Sequence, residues 1–202
     1  MNDARQTRLT LTLPSPLLGD CFPILQQGFF ITAHVGCTLQ RLLCRQWDIA
    51  PDYVATRITT IFLNAKATDN VETAVVRDGA TIALSGAMPG LVGATMRRGG
   101  HLAAMRGAMT YHESTADAVD RIGTVRVKLF NILLPELGPA FLGRGILMSC
   151  DDLASFFRER DESFWKWCDG AILDNTPVSA GLLRAAETFC PGGTVRLAVN
   201  FR

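Results

Sequence analysis

The feature that most constrains this chain is a small layout that occurs twice. Near the start, residues 9–13 alternate leucine and threonine, and after an apolar stretch residues 28–32 lead into a helical pattern. From Val125 the same order returns, with an alternating run, an apolar stretch, residues 145–149 and another helical pattern. Alternation with a period of two is typical of a strand with one buried face. We therefore expect two related units.

Within each repeat the pattern predicts strand, strand, helix, strand, strand. The first helix carries Leu39, Leu42 and Leu43 at helical spacing, and the second carries Leu153, Phe156 and Phe157. Such spacing places the apolar side chains on one face. Asp151 or Asp152 is the predicted N-cap of the second helix. This order predicts an α+β fold, in which one main helix covers one face of a mixed sheet.

Composition limits the classes of partner. The 202 residues are 48% hydrophobic and carry a net charge of +1, so no global field draws in nucleic acid or an anionic membrane. No apolar run reaches the roughly 18 residues of a membrane span, and the first residues lack the apolar core of a signal peptide. We expect a protein partner, no nucleic acid, no membrane and no cofactor.

The six cysteines are scattered, without a close-spaced pair. This favours a reduced, cytoplasmic protein. Cys37 follows a predicted strand and begins a helix, where a thiolate is stabilised, and His34 is a candidate base. The alternative is that Cys37 is a small buried hydrophobe. Metal binding by Cys37, His34 and Cys44 is disfavoured, because seven residues of helix separate the thiols by about 10 Å.

Short turns in the first repeat suggest a family. Asn64, Ala65 and Lys66 follow the third predicted strand, and Asp78 and Gly79 introduce the last. With the leucine-bearing helix, these features resemble a β-grasp (ubiquitin-like) domain. Each repeat is similar to the sulfur carriers that include the small subunit of molybdopterin synthase and the thiamine-pathway carrier. The resemblance implies two tandem β-grasp units, at residues 8–86 and 124–202.

Sulfur carriers of that family act through a C-terminal Gly-Gly. Residues 199–202 of this chain read Val-Asn-Phe-Arg, so no such terminus is expected to act. The resemblance then implies a non-catalytic binding or scaffold protein, accessory to sulfur-carrier or molybdenum-cofactor chemistry. One alternative is a carrier activated by cleavage after Gly100. Another is a small thiol-dependent enzyme that uses Cys37 and His34.

Residues 87–123 form a predicted glycine-rich, basic linker with a short helix near Leu102, Met105 and Met109. No acidic residue occurs from Gly79 to His112. Small residues allow close backbone approach, and arginines bind phosphate or carboxylate. The linker is therefore either a connection between units or a binding loop. The candidate binding residues are Arg97, Arg98, Gly99, Gly100, His101 and Arg106.

Overall fold

The structure is a computed structural model, and it describes residues 7–111, 119–168, 170–186, 190 and 192–202, with backbone only at 107 and 108. Its contacts divide the chain into two compact units. Unit one comprises Met1–Ile24 and Pro135–Arg202, and unit two comprises Leu25–Leu134.

Strands and helices are interspersed along the chain, which is compatible with the expected α+β class. The strands are β1 (Thr7–Leu13), β2 (Phe29–Val35), β3 (Cys37–Thr38), β4 (Thr60–Leu63), β5 (Lys66–Ala67), β6 (Val75–Val76), β7 (Thr81–Ser85), β8 (Arg121–Phe130), β9 (Ile146–Ser149), β10 (Gly170–Leu173), β11 (Thr176–Val178) and β12 (Thr194–Phe201). The α-helices are α1 (Phe22–Gln27), α2 (Leu39–Arg41), α3 (Pro51–Thr56), α4 (Gly90–Met96), α5 (Leu133–Arg144), α6 (Cys150–Arg158), α7 (Glu162–Trp167) and α8 (Ala180–Arg184). Ser15–Cys21 and Ala103–Met109 are 3₁₀ segments, and Leu42–Gln46 is a π-helical segment.

The strands of unit one lie in the order β11-β10-β1-β12-β9. β12 is antiparallel to β9 and parallel to β1, whereas β10 is antiparallel to both β1 and β11. The alternating side chains of β1 place Leu9, Leu11 and Leu13 in the core with no exposed surface. The buried face of α6 adds Phe156 and Phe157 to the core of the same unit.

The strands of unit two lie in the order β2-β8-β7-β4-β5, and β3 pairs separately with β6. β8 is antiparallel to β2 and parallel to β7, and β4 is antiparallel to both β7 and β5. Asn64 and Ala65 form the tight turn between β4 and β5, both at positive φ. Both sheets therefore share one succession of pair directions: antiparallel, parallel, antiparallel, antiparallel.

The two repeats do not keep their own first strands. β1, from the first repeat, lies between β12 and β10 of unit one, and β8, from the second repeat, lies between β2 and β7 of unit two. The grouping by contacts thus differs from the segments 8–86 and 124–202 predicted from the repeat. Both strands carry the same alternating pattern, so local sequence does not decide which sheet each one enters. The two central strands of each sheet, β12 and β1 in unit one and β8 and β7 in unit two, are parallel to each other. A strand that joins the sheet can therefore occupy either of these two positions without reversing the direction of any strand pair.

Several local features differ from the sequence-based expectations. The apolar stretch near Leu134 is the helix α5, with Pro135 in its first turn, where proline is tolerated. Ser149, rather than Asp151 or Asp152, caps α6: its Oγ accepts the Asp152 N–H at 3.0 Å and donates to the Asp152 carboxylate at 2.7 Å. The Ser149 hydroxyl thus satisfies both the N–H and the carboxylate of Asp152, so the predicted aspartate cap is wrong.

Cys150 and Cys190 form a disulfide in unit one. Their Cα atoms lie 5.5 Å apart, within the usual range for such bonds. The expectation that every cysteine is a free thiol is therefore wrong for this pair. The spacing of forty residues hid the pair because folding, not sequence proximity, brings the two together. Cys21, Cys37, Cys44 and Cys168 are free thiols.

Candidate functional site

The segment that follows α4 is fixed to unit two through its main chain. The Arg98 N–H donates to the Thr59 carbonyl at 2.8 Å, and the Arg98 Nη1 donates to the Val54 carbonyl at 3.2 Å. Gly99 then adopts a φ of +59°, a conformation that glycine enters without a steric cost. Its N–H donates to Asp69 Oδ1 at 3.2 Å. This turn brings Gly99, one of the predicted binding residues, to the carboxylate of Asp69.

Arg106 reaches the same carboxylate from the 3₁₀ segment. Its Nη2 donates to Asp69 Oδ1 at 2.8 Å and to the Arg97 carbonyl at 3.1 Å. The Arg106 side chain has no exposed surface, whereas that of Asp69 is 37% exposed. A fully buried arginine is rare unless it is paired, so this position is costly without its partner. We call Asp69, Arg98 and Arg106 the arginine cluster.

The arginine cluster has more donors than its own residues satisfy. Among the residues that the structure describes, Arg106 Nε, Arg106 Nη1 and Arg98 Nε are buried and have no hydrogen-bond acceptor. A buried donor without an acceptor costs about 1–3 kcal/mol, more when it is charged. Native proteins rarely retain such groups without a reason, and a bound ion or water is one of the usual ones. The chemistry of these donors suits an oxyanion.

The net charge of the arginine cluster also favours an anionic ligand. Arg106 pairs with Asp69, and the cluster as defined contains two arginines and one carboxylate, so its formal charge is +1. Burial lowers the pKa of Arg98, and the nearby Asp69 raises it by a smaller amount. Because desolvation dominates, the cluster gains when a further negative group approaches.

The structure separates the predicted binding residues into two groups. Gly99 and Arg106 donate hydrogen bonds to Asp69, and Arg98 lies close enough for that carboxylate to raise its pKa. Arg97 contributes its carbonyl while its side chain is exposed, Gly100 donates its N–H to the same carbonyl, and His101 is exposed. His112 lies outside the described residues.

Asp69 was missed by sequence reasoning. It stands 37 positions before Arg106, in a loop after β5. The only available signal was indirect. An acid-free, arginine-bearing segment that becomes buried needs a carboxylate from elsewhere in the chain.

The second candidate pair, Cys37 and His34, has a different geometry. Cys37 donates its S–H to the His34 carbonyl at 3.3 Å, and the Gln46 amide donates to Cys37 Sγ at 3.4 Å. The His34 ring is 63% exposed, and its Nδ1 lies 3.5 Å from the Asp120 carboxylate. Burial, as the largest influence, raises the pKa of the Cys37 thiol. The direction is opposite to the one that an activated nucleophile needs.

Metal-binding clusters and membrane-spanning helices are both absent from the described ranges. Within them, no group of three His, Cys, Asp or Glu side chains is placed to hold a metal ion. No helix in the same ranges has both the length and the apolarity to cross a bilayer.

Comparison with known proteins gives no match to this chain among family models, curated proteins or solved structures.

Proposed function

We propose that this chain is a non-catalytic binding protein that holds an anionic group of a protein partner at the arginine cluster. The observation that carries the proposal is the fully buried Arg106, which has donors left over after it has bound Asp69. For a carboxylate or phosphate of the partner to supply the missing acceptors, the enclosed Arg106 side chain has to become accessible when the partner binds. Such charge-assisted hydrogen bonds are the stronger class in proteins.

We also propose that the two units are β-grasp sheets completed by exchanged first strands. Support comes from the shared succession of strand directions and from the helical segment that follows β2 and β9 in turn. β8 lies beside β2, whereas β1 lies beside β10, so the two exchanged strands occupy different central positions. The resemblance to sulfur carriers then suggests an accessory role in sulfur-carrier or molybdenum-cofactor chemistry. A cytoplasmic setting remains part of this proposal, and the Cys150–Cys190 disulfide weighs against it.

The alternatives receive less support. Cleavage after Gly100 would cut a segment whose flanking residues, Arg98 and Arg106, are both tied into unit two. A thiol-dependent enzyme would need a more acidic Cys37 and a histidine ring turned toward it. Neither condition matches the geometry described above.

The test is thermal unfolding of the full chain in phosphate and in chloride at matched ionic strength. At ten times the dissociation constant, a specific anion adds about 1.4 kcal/mol, or roughly 3–6 °C in Tm. We expect this increment in the wild type and its loss in Arg106→Met. Arg106→Lys, which keeps the charge but not the planar set of donors, should recover little of it.

The matched control is Arg8→Met, which removes an exposed arginine of β1 and should keep the full increment. Phosphate also stabilises proteins without binding, and the Arg106→Met baseline subtracts that effect. If wild type and Arg106→Met gain equally in phosphate, the arginine cluster is not an anion site.

A further inference from the structure

Asp69 lies at the arginine cluster in the place that an anionic ligand would take. Its Oδ1 accepts a hydrogen bond from Arg106 Nη2 at 2.8 Å and one from the Gly99 N–H at 3.2 Å. The Arg106 side chain has no exposed surface, whereas that of Asp69 is 37% exposed. Asp69 is therefore the part of this ion pair that solvent, and any incoming anion, reaches first.

The carboxylate of Asp69 satisfies only part of the Arg106 guanidinium. Both hydrogen bonds that the described residues donate to this carboxylate end on Oδ1, and Arg106 donates to it through Nη2 alone. Arg106 Nε and Nη1 are left without an acceptor in the same part of the chain. An anion that is not tethered to the chain can turn so that two of its oxygens meet two guanidinium donors, the arrangement that arginine favours. Replacement of Asp69 by such an anion therefore adds a hydrogen bond and keeps Arg106 paired.

The Arg106 side chain has a second anchor that does not depend on Asp69. Its Nη2 also donates to the Arg97 carbonyl at 3.1 Å, and the Gly100 N–H donates to that carbonyl at 3.2 Å. These main-chain contacts continue to orient the guanidinium when the carboxylate leaves. The arginine is thus the fixed member of the pair.

The main chain on both sides of Asp69 is anchored, so its side chain can leave without a movement of the loop. Before it, the Thr68 N–H donates to the Ile61 carbonyl at 2.8 Å. After it, Asn70 Oδ1 accepts the Glu72 N–H at 2.8 Å. Rotation of one partly exposed side chain is the smallest change that uncovers Arg106, and such rotations are fast.

We infer that Asp69 is an internal occupant of the anion site: its carboxylate closes the site over Arg106, and the anionic group of the partner enters by replacing it. This role of Asp69 rests on the proposed function above and accounts for how the enclosed Arg106 becomes accessible. The apparent affinity of the wild type for an anion is then reduced, because an anion binds only those molecules in which Asp69 has turned away.

The test follows binding of inorganic phosphate to the full chain by NMR, with chloride at the same ionic strength as the reference. The Nε–H signal of Arg106, assigned by its absence from Arg106→Lys, reports binding at the arginine cluster. The carboxylate ¹³C signal of Asp69, assigned by its absence from Asp69→Asn, reports whether Asp69 stays. In the wild type, phosphate should shift both signals with one dissociation constant, and the Asp69 signal should move toward that of the exposed Asp52.

Asp69→Asn keeps the size of the side chain and its Oδ1 acceptor but removes the charge, so its hold on Arg106 weakens. This variant should bind phosphate roughly tenfold or more tightly than the wild type, since minor conformers are commonly populated at about 10% or less. Asp52→Asn, at an exposed aspartate of α3, changes the net charge by the same amount and is the matched control. It should bind phosphate as the wild type does.

The outcomes separate this inference from the proposed function. No shift of the Arg106 signal in the wild type or in Asp69→Asn would overturn both. A shift of the Arg106 signal while the Asp69 signal stays in place would overturn the inference alone, because the anion then binds beside Asp69. A gain in affinity no larger in Asp69→Asn than in Asp52→Asn would have the same meaning. The wild-type signals decide the question even if Asp69→Asn does not fold.

Discussion

At the scale of single residues, burial decides what a side chain can do in this protein. Arg106 was a candidate binding residue and Cys37 a candidate nucleophile in the sequence, and both are buried. For Arg106, burial leaves a strong cation with surplus donors, which suits binding. For Cys37, burial raises the pKa of the thiol and suppresses its reactivity. The same physical effect therefore favours one candidate site and opposes the other.

The burial of Cys21 makes the free energy of unfolding depend on pH. Burial, with a smaller contribution from Asp20, raises the pKa of its thiol from 9.0 to about 12. Below pH 9 the thiol is protonated in both folded and unfolded chains, so stability is unaffected. Above pH 9 only the unfolded chain ionises it, so the free energy of unfolding falls as pH rises toward 12, by up to about 1.4 kcal/mol per pH unit.

The measurement is urea unfolding at intervals from pH 8 to 11. Cys21→Ala should start less stable, because it leaves a small cavity, and should lose stability less steeply than the wild type. Cys44→Ala, at a partly exposed position where burial also raises the thiol pKa, serves as the comparison and should reduce the slope less than Cys21→Ala does. Parallel slopes for wild type and Cys21→Ala would show that Cys21 does not contribute.

At the scale of elements, the Gln46 side chain makes hydrogen bonds to β2 of the kind that a neighbouring strand makes. Gln46 ends the π-helical segment and lies beside β2, where its Oε1 accepts the His34 N–H and its Nε2 donates to the His34 carbonyl, each at 2.8 Å. The amide thus satisfies the backbone of His34 as a paired strand would. π-Helical turns are rare and often have a specific role, which fits this placement.

Gln46→Ala should lower the free energy of unfolding by about 1–3 kcal/mol, since two hydrogen bonds are lost. Urea unfolding gives the size of the loss, and amide exchange at His34 should accelerate in the variant. Gln40→Ala, an exposed glutamine of α2, is the control and should cost less than about 0.5 kcal/mol. Equal losses in the two variants would rule out the role given to Gln46.

Many elements followed from sequence because their patterns are local. The alternation of β1, the leucines after Thr38 and the turn at Asn64 each depend on neighbouring residues, and each lies where it was expected. α4 was missed because its sequence includes glycines, which are poor helix formers. The arginine cluster was half predicted. Its arginines share one segment, but Asp69 is distant in the sequence.

At the scale of the whole molecule, β1 and β8 are exchanged between the repeats. Each carries apolar residues at every second position, so either could cover the core of either sheet. Pairing across such sequence distances is non-local and is fixed only when the sheets assemble. The alternating pattern of β1 and β8 was therefore visible in the sequence, while the sheet that each strand joins was not.

This exchange predicts that the sequence halves depend on each other. Residues 1–111 lack β8, which unit two needs, and residues 119–202 lack β1, which unit one needs. The pieces 1–111 and 119–202 together contain every strand described above, so together they retain every pairing among those strands. Residues 25–134, which keep all the strands of unit two, are the control and should fold alone.

The most direct measurement is size-exclusion chromatography with circular dichroism on the pieces 1–111 and 119–202, produced separately and together. Produced together, they should elute as one folded heterodimer with a single cooperative unfolding transition. Produced separately, each should be unfolded or aggregated. If each piece alone is a folded monomer that does not bind the other piece, each repeat keeps its own first strand. The strand exchange described here would then be wrong.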